Sequence, residues 1–158
     1  MPAKRSSSSR PVAAGADKLT LDEQLCFSVY STMLSLNKVY RGLLRDLDLT
    51  YLQYLVMLVL WERDGLNVSE ICTRLSLETT TLTPLLKRLQ ASGLVTRTRS
   101  TQDERQVLIR LTPEGQALQA RARAVPEGVF CAADCSLEEL QAITGRLESL
   151  RASLIRHL

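Results

Sequence analysis

Aromatic residues make up only 4% of this 158-residue chain. The single histidine, His157, sits next to the last residue. A lone imidazole at a frayed end leaves the Cys131-x3-Cys135 pair without the nearby histidine that a zinc site would take. It also leaves no evident base for a thiol enzyme. Glycine (7) and proline (5) are few, and with abundant Leu, Ala, Arg and Glu this points to helices. The longest apolar run, Tyr54 to Trp61, is far too short to cross a bilayer. The first 16 residues have no apolar stretch of signal-peptide length, so secretion is not expected and a cytoplasmic location is. In that setting the four cysteines read as free thiols rather than a disulfide framework. No internal repeat is evident, and no cofactor or metal is expected.

What is present is a patterned stretch from Val68 to Leu111. Apolar residues at 68, 71, 72 and 75 mark one helical face over Val68–Leu75. Ser76-Leu77-Glu78 is a tight turn. The next helix buries Leu82, Leu85, Leu86 and Leu89 and stops at Gly93. Its other face carries Thr79, Thr80, Thr81, Thr83, Lys87 and Arg88, hydroxyl donors and cations suited to a major groove. Pro84 leaves two readings. A cap at Thr79 or Thr80 puts it about one turn inside the helix, where a kink is expected, and a cap at Thr81 puts it harmlessly in the first turn. Leu94–Arg97 and Gln106–Arg110 read as a two-stranded ribbon. Its polar tip, Thr98 to Arg105, holds Arg99, Asp103 and Arg105. Helix-turn-helix plus basic hairpin is the layout of a winged helix. Residues 79–110 carry a net charge of +4 and residues 1–18 another +3, against +3 for the whole chain. Positive charge is therefore concentrated on the proposed reading surface.

The rest of the chain reads as helices. Residues 1–16 form a basic disordered tail. Thr20 and Glu23 suggest a capping box opening a long helix whose apolar stripe runs from Leu21 to Leu47. A buried helix follows from about Tyr51 to Arg63, ended by Asp64-Gly65. Thr112-Pro113-Glu114 opens a helix to about Ala124, which Val125-Pro126-Glu127-Gly128 is expected to interrupt. Ser136 opens the last helix. The long apolar stripes at both ends either fold back on the chain or meet a second copy, and a two-fold dimer is the simpler partner. The chain thus divides into a tail (1–16), an N-terminal dimerisation and sensing helix (17–50), a DNA-binding region (51–111) and C-terminal dimerisation helices (112–158).

The thiols differ. Cys26 is expected in the second turn of the first helix, and either packs as a small hydrophobe or reacts. Tyr40 lies about 21 Å further along a continuous helix, so it reaches only the Cys26 of an antiparallel second copy, and Tyr51 can join it. Tyr30 is a rival neighbour of Cys26, whereas Tyr54 and Cys72 are expected in the core. Cys131 and Cys135 are inert, metal-binding or able to resolve an oxidised Cys26.

Leu25-Cys26-Phe27 with Tyr30-Ser31, Leu49 to Met57, Leu82 to Leu89, and Asp103-Glu104-Arg105 followed by Leu111 to Gly115 together resemble the MarR-type winged-helix regulators. Within these the chain is similar to the organic hydroperoxide resistance repressors. The resemblance implies that Cys26 senses peroxide with Tyr40 and Tyr51 as hydrogen-bonding partners. It implies that Thr79 to Arg88 read the major groove and Arg105 the minor groove of an A·T-rich inverted repeat. Cys131 matches the second cysteine of the two-cysteine type, which forms an intersubunit disulfide with the sensing residue. Rival functions are a repressor released by a phenolic or aromatic ligand, a thiol peroxidase, and an architectural DNA protein.

Overall fold

The computed structural model describes residues 19–99 and 106–157. The chain falls into two compact units, Met1–Ser35 and Leu36–Leu158. Among the described residues, seven α-helices and three short strands follow in the order α1 (Leu25–Leu43), α2 (Tyr51–Glu62), β1 (Leu66–Asn67), α3 (Val68–Leu75), α4 (Thr79–Ala91), β2 (Val95–Arg99), β3 (Val107–Leu111), α5 (Pro113–Ala122), α6 (Ala124–Ala133) and α7 (Leu137–Ile155). Two single-turn 3-10 helices sit at Leu21–Glu23 and Arg45–Leu47.

Local chemistry sets the helix starts. Thr50 caps α2 in a reciprocal box, with Gln53 Oε1 accepting from the Thr50 N–H at 2.8 Å. Asn67 and Glu70 form the same arrangement at α3, and Ser136 and Glu139 at α7. Each pair satisfies two backbone donors that the helix leaves unbonded. At α5, Thr112 Oγ1 accepts from Gly115 N–H at 3.0 Å, and Pro113 occupies the first position.

Three expectations are corrected. Thr20 makes no side-chain cap. Its carbonyl accepts from Gln24 Nε2, a 3-10 turn intervenes, and α1 begins only at Leu25. The expected break after α5 is present, at Arg123, but Val125 to Gly128 is itself helical and forms the start of α6. Pro126 falls in its first turn, where a missing N–H costs no intrahelical bond. The ribbon gains a third strand: the antiparallel sheet has the order β1-β3-β2, with Leu66 opposite Ile109 and Arg97 opposite Ile109 from the other side. Gly65, at φ 72°, makes the turn into β1, a left-handed conformation that favours glycine.

The core of Leu36–Leu158 is built from α2, the helix-turn-helix and the sheet. Met57, Leu60, Ile71, Leu82, Leu86, Leu89, Val95 and Ile109 are at most 1% exposed. Burial of each such side chain stabilises the fold by about 1.5–3 kcal/mol. Two seams fasten the wing. Asp64 Oδ1 accepts from Leu111 N–H at 2.9 Å. Gly115 lies so close to the Leu94 carbonyl that a Cβ there would meet it at 2.0 Å, and its own carbonyl accepts from Trp61 Nε1 at 2.9 Å. Among the described residues, no helix is long and apolar enough to cross a membrane.

Candidate nucleic-acid interface and thiol site

The sequence of α4 sorts itself by period. Leu82, Leu85, Leu86 and Leu89 are buried, while Thr79, Thr80, Thr81, Lys87 and Arg88 are exposed and Thr83 is half-buried. The opposite face is therefore free to meet a ligand as large as a duplex. Glu78 takes the N-cap position without a side-chain bond. Neither a cap at Thr79 or Thr80 nor one at Thr81 is therefore present, and the proline lies inside a helix that continues past it, as the first of these readings had it. The Glu78 carbonyl accepts from both Thr81 and Leu82 N–H at 3.0 Å. Ser76, in the left-handed region at φ 53°, makes the sharp turn that sets α3 and α4 at an angle.

Thr79 and Thr83 line one wall of a cleft of about 460 Å³ whose other walls are Asn67, Ser69, Arg97, Gln106 and Val107. Arg97 Nε is buried there with no hydrogen-bond partner among the described residues. Cys72 is half-buried against the core rather than inside it. Its sulfur lies 3.8 Å from Thr79 Oγ1, so it touches the first residue of α4. Arg99 is exposed at the end of β2. Asp103 and Arg105 lie outside the described residues.

Cys26 is exposed. Because α1 starts at Leu25, Cys26 occupies the first turn and not the second. The apolar stripe around it is uncovered: Leu21, Leu25, Val29, Tyr30 and Met33 are all exposed. In the other unit Tyr40 and Tyr51 pack as tilted rings with centroids 4.5 Å apart, and Tyr54 adds a third ring 6.0 Å from Tyr40. Burial raises the pKa of all three phenols, and at Tyr40 charges on Tyr51 and Tyr54 would raise it further. They remain protonated donors at neutral pH. Tyr54 is buried, as its sequence context implies, while Tyr30 is exposed. Cys131 is exposed in the last turn of α6. Cys135 is half-buried beyond that helix, its thiol donating to the Ala133 carbonyl at 3.1 Å.

Comparison with known proteins decides the family. The model of the transcriptional regulator SarA/Rot family matches residues 38–121. The chain belongs to the MarR-like SarA/Rot family of transcriptional regulators. The regulator is 49% identical over 138 residues to the HTH-type transcriptional regulator TtmR of Methylorubrum extorquens, covering 87% of this chain and 71% of that one. It is 41% identical over 138 residues to the organic hydroperoxide resistance transcriptional regulator of Bacillus subtilis, covering 87% and 94% respectively. Among solved structures, reduced AbfR bound to DNA superposes with a TM-score of 0.70 at 38% identity, covering 85% of this chain and 94% of AbfR. AbfR of Staphylococcus epidermidis has also been solved in a disulfide form. The regulator is thus a DNA-binding winged helix of a non-enzymatic family.

Sequence reasoning missed β1, the Asp64 tether and the Cys72–Thr79 contact. A two-residue strand shows no periodicity, and the two contacts join residues that only the tertiary fold brings together. The turn signal at Asp64-Gly65 was the one visible trace of the first two.

Proposed function

We propose that this regulator is a homodimeric repressor that releases its operator when an organic hydroperoxide oxidises Cys26. The observation that carries the reading is an exposed thiol in the first turn of α1, set in an uncovered apolar stripe. Such surroundings favour organic over polar peroxides. Leu137, Ile143, Leu147 and Leu154 on α7 are equally uncovered, and with the Cys26 stripe they pack against a second copy. Two α4 helices then meet half-sites about 34–36 Å apart. Thr79, Thr80, Thr81, Thr83, Lys87 and Arg88 face the major groove, and Arg99, Asp103 and Arg105 serve the wing at the minor groove of an A·T-rich inverted repeat.

The chemistry runs in two steps. The Cys26 thiolate attacks the distal peroxide oxygen; the O–O bond breaks, the alkoxide takes a proton and leaves as an alcohol, and sulfur becomes a sulfenic acid. Cys131 of the partner subunit then attacks that sulfur, its thiol proton leaving with the hydroxyl as water. Tyr40 and Tyr51 donate to the sensing sulfur across the two-fold axis. Cys131 is the resolving thiol because it is the more exposed of the pair, whereas Cys135 is engaged with a carbonyl. A disulfide accepts a Cα separation of only about 4.4–6.8 Å; with the two sites farther apart in the reduced dimer, closing it moves the helices and rotates one reading head against the other.

A cleft of about 240 Å³ with Tyr54, Leu58, Trp61 and Pro126 on its walls and Glu62, Gln119 and Arg123 beside them favours a second reading, release by an aromatic ligand. Operator binding is followed with cumene hydroperoxide and, separately, with a hydroxybenzoate. Loss of the hydroperoxide response in Cys26→Ser supports the first reading. Release of Cys26→Ser by hydroperoxide sinks it, and hydroxybenzoate release of a cysteine-free variant establishes the second.

A further inference from the structure

The helix glycines differ in their surroundings. Gly145 in α7 and Gly42 in α1 have open space where a Cβ would be. Gly128, the fifth residue of α6, does not. A Cβ there would fall 2.4 Å from Leu43 Cδ2 and 3.0 Å from Cδ1. Carbon atoms in good contact sit about 3.5–4.0 Å apart. Alanine at this position therefore forces either the Leu43 methyls aside or α6 outward by about 1 Å. Glycine weakens a helix relative to alanine, so its presence here buries no side chain and gains only the close approach.

That approach sets the height of α6. Val125, one turn earlier, is 3% exposed in the core. Cys131 is one turn later, on the same side by helical period, about 4.5 Å along the axis. The atoms met are the end of the Leu43 side chain, and Leu43 is packed against the core cluster on its other side, so its methyls have limited room to turn away. The short helix is thus pinned at Val125 and Gly128 and presents an exposed sulfur at its free end.

We propose that Gly128 is a positioning residue for Cys131: its missing side chain lets α6 seat on Leu43 at the height from which Cys131 reaches the oxidised Cys26 of a second copy. This rests on the peroxide-sensing reading above. It assigns specificity to a close contact at a residue with no reactive group.

The test uses the full-length reduced protein and one equivalent of cumene hydroperoxide. Dimedone captures the sulfenic acid, and non-reducing electrophoresis follows the crosslinked dimer. Gly128→Ala forms sulfenic acid at the wild-type rate and binds operator normally when reduced, but crosslinks roughly tenfold or more slowly, as a misplacement of about 1 Å predicts. Leu43→Ala combined with Gly128→Ala restores the rate, because the added methyl then has room. If the single variant fails to fold, the comparison is made within Leu43→Ala, where Gly128→Ala leaves crosslinking unchanged and Gly128→Leu slows it. Wild-type crosslinking in Gly128→Ala, absence of rescue, or an equal loss of reduced-state operator binding overturns the proposal. A wild-type protein that never joins Cys26 to Cys131 overturns it together with the sensing reading.

Discussion

The 12 residues of α2 bury six side chains, whereas the 19 residues of α7 bury none. Both helices are well capped, by the same Thr/Ser box. The difference therefore lies in tertiary packing and not in local propensity. Helix α2 is held from several sides by α3, α4 and α5 and belongs to a core that one copy completes. Helix α7 keeps Leu137, Ile143, Leu147, Leu154 and Ile155 at the surface, an apolar area far beyond scattered surface leucines. The winged helix buries its own apolar face, and the flanking helix leaves its apolar face open.

Truncating each region breaks the comparison most directly. Leu86→Ala, at a site with 0% exposure, is expected to lower unfolding stability by about 2–5 kcal/mol, read from urea melts. Leu147→Glu, at a 49% exposed site, leaves the winged helix folded by circular dichroism but shifts sedimentation to the monomer and removes the concentration dependence of Tm. Equal stability losses at the two sites would erase the distinction drawn here.

The phenol cluster gives a pH test within the core-packed region. Tyr40, Tyr51 and Tyr54 all have pKa values raised above 10.0. The folded chain holds these protons more tightly than the unfolded one, so the associated stability is present below pH 10 and is lost as pH rises through the folded values. Denaturant melts from pH 8 to 12 show this decline, and Tyr40→Phe makes it shallower. A decline that begins below pH 9 would contradict the shift. The smallest effect concerns a local device: Thr50→Ala removes the α2 cap at a cost of about 1 kcal/mol. The Ser136→Ala counterpart in α7 costs the same per helix and, in the proposed dimer, reports mainly in the melting of the assembly.

Legibility in the sequence follows the same division. The span of α3, the turn at Ser76 to Glu78, and the buried leucines of α4 were readable because one face of each helix packs on the core, fully in α4 and around Ile71 in α3, and such packing writes a clean 3.6-residue period. At α6 the break from α5 was legible, but the helical state of Val125 to Gly128 was not, for a physical reason. Pro126 and Gly128 are ordinary breaker signals, yet one sits where no N–H is needed and the other where Leu43 leaves no space. At Thr20 the right residues for a cap were present but the chain turned as a 3-10 helix first. The threonine face of α4 was legible as a candidate site. The nearness of Tyr40 and Tyr51 was legible too, since both were expected at one sulfur, but the third ring, Tyr54, 6.0 Å from Tyr40, was not, because only the fold determines how the two helices approach.

One tryptophan serves the whole chain, and its ring nitrogen is committed to the Gly115 carbonyl at 2.9 Å, joining α2 to α5. Its fluorescence therefore watches a single seam, the place where the helix carrying Tyr51 and Tyr54 meets the one leaving the wing. With no dye and no engineered label, the emission maximum and its quenching become a native gauge of whether that joint loosens when operator, oxidant or alkali is added.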